Sequence, residues 1–228
     1  LRLDFRGRGN SEGATAEASI EAMSVDAGVA LDYLASQPGV AGLYLLGICS
    51  GGKVAIESAV GRADLAGLVL WSAEALGSLR SGATDQRKTQ HAIGVYIRKL
   101  CRWQTWRKLL TGKVNVKAVN KAVFQHEARS EAEALREDKV LRRFQEFDQP
   151  LVFIYGSNDP DTDLAGENYR KFCEKHRITS TFHAVEGANH SFYSLAWETD
   201  VMNRTEQWLL DQHNRNASNE ARARKPSP

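Results

Sequence analysis

Cysteine is scarce in this chain: Cys49, Cys101 and Cys173 are the only three in 228 residues. They are too few and too scattered for a disulfide framework and lack the paired spacing of a metal site, so a reducing, cytoplasmic compartment is the expectation. Apolar runs are short as well, none approaching the ~18 residues that a spanning helix needs. Five prolines and 18 glycines are ordinary shares that exclude collagen-like and low-complexity chains. What is present, 42% hydrophobic and 25% charged residues, is the composition of a folded globular protein with a sizeable core. The first residue is Leu1 and the residues after it read as strand, so no targeting signal can be scored at the N-terminus.

A typical domain of about 150 residues predicts one domain carrying a large insertion for a chain of this length. The charge is unevenly spread. Between Arg80 and Lys121, eleven Lys or Arg stand against one acid, Asp85, whereas the whole chain carries +2, so a basic module interrupts an acidic body. Ahead of it, Leu1–Phe5 reads as a strand, Thr15–Ser36 as a helix, Leu43–Ile48 as a buried strand, Gly51–Val60 as a helix and Leu65–Trp71 as a strand. Beyond it follow a strand at Leu151–Tyr155, a helix at Asp163–His176, a strand at Thr179–Val185 and a helix at Ser194–Asp211. Strand-helix alternation of this kind builds a parallel sheet with helices on both faces, the α/β class. The expected organisation is a core at 1–76 and 150–212, an all-helical cap insertion at 77–149, and a loose tail from 213 to 228 with too little apolar content to offset its ordering entropy.

Between the strand YLLGI and the helix GGKVAIESAV lies Gly47-Ile48-Cys49-Ser50-Gly51, a G-x-S-x-G turn with cysteine at its centre. Such a turn lifts the central side chain out of the sheet, and glycines on either side let the backbone crowd without a Cβ clash. The helix that follows aims its N-terminal dipole at the sulfur, which favours a thiolate. Close strand-helix packing alone would also select small residues, so the pentapeptide by itself is even between the two readings. Two further turns weigh on the nucleophile side: Gly156-Ser157-Asn158-Asp159 after one late strand and Gly187-Ala188-Asn189-His190 after the next. Asp161 and Asp163 compete with Asp159 for the acid, and the G-x-x-D spacing favours Asp159; His183, inside a strand, and His91 and His126, in the insertion, read as structural or solvated. Ser50 as nucleophile fails on register, because Ile48 would then stand where a glycine is needed.

The order nucleophile, acid, histidine resembles the α/β-hydrolase superfamily over nearly all of residues 1–212. LDFRGRGNSEG is similar to that superfamily's fourth-strand signature, matched at Asp4, Arg6, Gly7, Gly9 and Ser11. The cysteine elbow followed by paired glycines resembles dienelactone hydrolases, and the helical insertion resembles the cap of serine aminopeptidase-like and lysophospholipase-like members. YIRKLCRWQTWRKLLTGKVNV is similar to the exosortase-associated hydrolases, which pair a cysteine elbow with a cap. The resemblance implies Cys49 as nucleophile, His190 as the group that holds the thiolate as an ion pair and later protonates the leaving group, Asp159 as the acid orienting it and the Ser50 amide as one oxyanion donor; Glu74, just past Trp71, is an outside candidate for the acid because some members take theirs there. It also implies a strand and a His-Gly loop, source of a second donor, ahead of Leu1, so the chain is expected to be a fragment without its N-terminal strands.

From Ile93 to Leu110 apolar residues recur at helical spacing, with Arg98, Lys99, Arg102, Arg107 and Lys108 between them. The plain reading is a cap helix covering the site; the sharper one is recruitment of an anionic, lipid-like acyl substrate or contact with a membrane surface. Nucleic acid is not expected, because no binding module accompanies the charge. The glycosylation triplets at Asn189, Asn203 and Asn216 read as chance. The expected activity is hydrolysis of a carboxylic ester or thioester through a thioester intermediate, without metal or organic cofactor; acyl transfer through the same intermediate and a non-catalytic scaffold are the rivals.

Overall fold

The computed structural model describes residues 1–80, 131–160 and 162–223. After one turn of 3₁₀ helix at Thr15–Glu17, helix α1 runs Ile20–Ala35, started by Ser19, whose hydroxyl accepts from the Ala22 amide at 3.1 Å. Strand β1 spans Leu43–Ile48, helix α2 Gly51–Ala59 and strand β2 Leu65–Trp71. Residues 131–144 form helix α3. Strand β3 (Leu151–Gly156), helix α4 (Asp163–His176), strand β4 (Ser180–Val185) and helix α5 (Leu195–Ala223) complete the described elements.

The four described strands lie in the order β1-β2-β3-β4, every neighbouring pair parallel. Parallel strands need crossovers, and the helices between them supply the cover. Alternation along the strands shows which face meets which helix. Val69 and Trp71 of β2, with Val152 and Ile154 of β3, form one buried cluster with Val201 and Trp208 of α5. Trp71 is fixed there because its indole N–H donates to Thr205 Oγ1 at 3.0 Å. On the other face Phe153 stacks on Tyr169 of α4 at 4.9 Å and on Phe182 of β4 at 4.6 Å. Gly52 of α2 is pressed so close to the chain beyond β2 that an added Cβ would lie 2.8 Å from Ala73 Cβ. The β2 and β3 strands, buried along nearly their whole length, are the centre of this sheet.

The chain divides into two compact units, Leu1–Ala75 with Arg142–Pro228, and Leu76–Leu141. Residues 81–130 of the expected cap, which include the stretch Ile93–Leu110 expected to form a basic helix, His91 and His126, lie outside the described residues. In the described part of that unit, the Gly77 amide donates to Glu137 at 2.9 Å and Arg80 pairs with the same carboxylate at 3.3 Å.

Two expectations are corrected. Leu1–Phe5 is not a strand: its backbone joins no ladder among the described residues, and an apolar run without a partner strand has no reason to stay extended. The signature residues beyond it shape the loop, Arg6 gripping Asp26 through its side chain and backbone, and Asp4 accepting from the Asn10 amide at 3.0 Å. The tail expected from 213 begins as helix, because α5 continues to Ala223; residues 224–228 lie outside the described residues. A helix already nucleated by packed turns adds residues at little cost, even exposed ones such as His213–Asn216.

Candidate active site

Parallel, adjacent strands discharge their following loops at one rim, so residues far apart in the chain can converge there without any special contact between them. Cys49 follows β1 directly. Its φ of +55° is rare for a residue with a Cβ, and it is held by the Cys49 amide donating to Trp71 O at 2.9 Å and by Gly52 N–H donating to Cys49 O at 3.0 Å. Gly47 is required below the turn, because a Cβ there would collide with the Gly51 carbonyl. Ser50 occupies the cap position of α2, so its amide stands between Cys49 and the helix N-terminus.

The loops after β3 and β4 are sewn together. Ser157 N–H donates to Val185 O at 3.0 Å, Asn158 N–H to Ala188 O at 2.9 Å, and Gly187 N–H to the Ser157 hydroxyl at 2.7 Å. This stitching brings Asp159 and His190 into register. Nδ1–H of His190 donates to Asp159 Oδ2 at 2.9 Å, and the hydroxyl of Thr162 donates to the same carboxylate oxygen. Asp159 is almost wholly buried, whereas the His190 ring keeps 27% of its side-chain surface. Below the histidine, Phe192 sinks into the core edge-on to Trp71, at 6.3 Å and 78°. The bond to Asp159 pushes the His190 pKa up to about 9 against the opposing effect of burial, and the nearby Cys49 sulfur adds to the rise by hydrogen bonding and charge. Cys49, His190 and Asp159 therefore share one neighbourhood, with the imidazole between sulfur and carboxylate.

Other candidates fall elsewhere. Asp161 is outside the described residues, and Asp163 opens α4. His183 lies on β4, where burial lowers its pKa. Glu74 does reach the rim, where it meets the sulfur: Cys49 Sγ donates to Glu74 Oε1 at 3.6 Å, and Glu74 Oε2 pairs with Lys53 Nζ at 3.4 Å. Lys53, Tyr155 and Tyr169 escaped the sequence reading. A lysine in the otherwise apolar helix GGKVAIESAV was the available signal for a buried, paired cation. No group of His, Cys, Asp and Glu among the described residues is arranged to hold a metal, and no described helix is long and apolar enough to cross a membrane.

The sheet, the strained elbow and the sewn loops define an α/β hydrolase. Within that class, the chain belongs to the family described as serine aminopeptidase, S33, whose model matches residues 1–194. Solved structures share the fold. Est1E from Butyrivibrio proteoclasticus, with bound ferulic acid, is 15% identical, with 92% of this chain and 76% of that one covered at a TM-score of 0.56. Monoacylglycerol lipase from Paleococcus ferrophilus is 18% identical, covering 92% and 82%, at 0.57. Dienelactone hydrolase from Anabaena variabilis is 13% identical, covering 85% and 61%, at 0.50. Comparison with curated proteins finds no match. The family takes its name from serine; here Cys49 stands at the elbow.

Proposed function

We propose that the chain hydrolyses a carboxylic ester or thioester with Cys49 as nucleophile. The observation that carries this reading is the His190–Asp159 bond of 2.9 Å beside a sulfur raised on a left-handed elbow. In this scheme the Cys49 proton passes to His190 Nε2, the thiolate attacks the carbonyl carbon, and the carbonyl electron pair moves to oxygen, where the Ser50 amide donates to it. The tetrahedral intermediate collapses, the leaving group departs with the proton from His190, and a thioester to Cys49 remains. Water then attacks the thioester with His190 as base, releasing the acid and the thiol. Asp159 fixes the ring so that Nε2 faces the sulfur and stabilises the imidazolium. The substrate is a small or lipid-like acyl compound, and the basic segment from Arg80 to Lys121 favours an anionic one.

The test is pre-steady-state hydrolysis of p-nitrophenyl acyl esters. A burst of p-nitrophenol stoichiometric with protein is expected, together with an acyl adduct on the peptide containing Cys49 by mass spectrometry; Cys49→Ala should abolish both. A turnover that survives Cys49→Ala would end this reading.

A further inference from the structure

The stretch after β2 is held more tightly than a connecting loop requires. Ser72 adopts a φ of +43° with its amide donating to Ile154 O at 2.8 Å. Two phenols from other elements clamp the next carbonyls: Tyr155 of β3 donates to Ala73 O at 3.2 Å, and Tyr169 of α4 donates to Glu74 O at 2.9 Å. The Glu74 amide reaches Cys49 O at 3.5 Å, and Lys53 of α2, almost fully buried, holds one carboxylate oxygen. Strain and clamping at such a place indicate a side chain that must be aimed. Lys53 pairs with Oε2, and Oε1 accepts from Cys49 Sγ.

We propose that Glu74 is a positioning residue that keeps the Cys49 proton on sulfur until His190 takes it, and so sets the pH at which the sulfur becomes nucleophilic. The proposal rests on Cys49 being the nucleophile. Among the described residues, the charged and titratable groups around the sulfur are His190 from the loop after β4, with Asp159 behind it, Glu74 from the stretch after β2, and Lys53 from α2. His190 favours ionised sulfur. A carboxylate that accepts the S–H bond favours the protonated form, by that bond and by repulsion of the thiolate. When the proton moves, the S–H bond breaks, an N–H bond forms at His190 Nε2, and the thiolate pairs with imidazolium; Lys53 stays on Glu74 and limits the repulsion.

The experiment follows alkylation of Cys49 by iodoacetamide from mildly acid to mildly alkaline pH, read by peptide mass spectrometry, in the wild type, Glu74→Gln and Glu74→Ala. Glutamine keeps the shape, can still accept from Lys53, and turns an N–H toward the sulfur, so the midpoint of the profile should fall by about one pH unit. Alanine should move it in the same direction. A midpoint that stays in place or rises in either folded variant overturns the proposal. Should both variants fail to fold, the infrared S–H band of the wild type, taken as a difference against Cys49→Ser, decides the matter: a shift to lower frequency marks the bond to the carboxylate, and its absence refutes it. His190→Gln separates this from failure of the underlying reading, because a midpoint indifferent to His190 but sensitive to Glu74 would sink the triad and leave the Glu74 role standing.

Discussion

Replacing Asp159 with asparagine tests how far the site depends on one buried carboxylate. The His190 pKa is about 9, against an ordinary value of 6.5, and the first cause is its bond to Asp159. Asparagine preserves the shape and can still accept from Thr162, but it removes the charge and allows the other ring tautomer. The larger upward push then goes, while the smaller one from Cys49 and the downward pull of burial stay, so the imidazolium should be lost nearer 6.5 than 9. Because His190 can take the thiol proton only in its neutral form, ester hydrolysis by the wild type should rise as the pH climbs through about 9, and in Asp159→Asn that rise should move to lower pH, with the maximum rate reduced by roughly 10²- to 10⁴-fold. The sign for stability is the same. A histidine whose pKa is raised on folding contributes stability that is fully present below 6.5 and lost as the pH climbs through about 9. Thermal unfolding of the wild type should thus weaken across that window more than unfolding of Asp159→Asn. Paired rate-pH and melting-pH profiles, together with the His190 ring-proton resonance, check the reasoning; a His190 titration unchanged by the substitution would refute it.

Other changes probe the scaffold and the specificity of the sulfur. Phe153→Ala removes a fully buried ring stacked between Tyr169 and Phe182, and chemical denaturation should register a loss of about 3–5 kcal/mol. Thr205→Val strips the Trp71 indole of its acceptor in a buried setting, at a cost of about 1–3 kcal/mol in the same assay. Burial pushes the Cys173 thiol up to about 11, so native-state alkylation should label Cys49 and spare Cys173 until the protein is denatured.

Much of the sheet was legible because its signals are local. β1 and β2 are short apolar runs bounded by glycine or by polar turns, and their limits match the pattern residue for residue. The glycine-punctuated turns at the ends of β1, β3 and β4 marked where a parallel sheet presents chemistry, which is why Cys49, Asp159 and His190 stood out. Leu1–Phe5 misled because a strand is defined by its neighbour, and no neighbour is written in five residues. In the sequence Glu74 stands as a partner for histidine, because some members of the superfamily take their acid just past the strand that is β2 here. What puts it on sulfur is a left-handed Ser72 and two tyrosines from β3 and α4, none of them near it in sequence except Ser72.

The exchange of oxygen for sulfur at the elbow changes what the neighbouring carboxylate means. A serine hydroxyl does not ionise near neutrality, so a carboxylate beside it would act as a hydrogen-bond acceptor and little else. A cysteine thiol, with an ordinary pKa near 8.5, is balanced between two charge states at physiological pH, and each neighbouring charge tips it. Cys49 has neighbours of opposed kind: the α2 N-terminus and His190 on one side, and on the other the Glu74 carboxylate, which accepts from Sγ at 3.6 Å. Burying Lys53 against Glu74 is then intelligible as restraint, since an uncompensated carboxylate at that distance would repel the thiolate most strongly at the moment the reaction requires it.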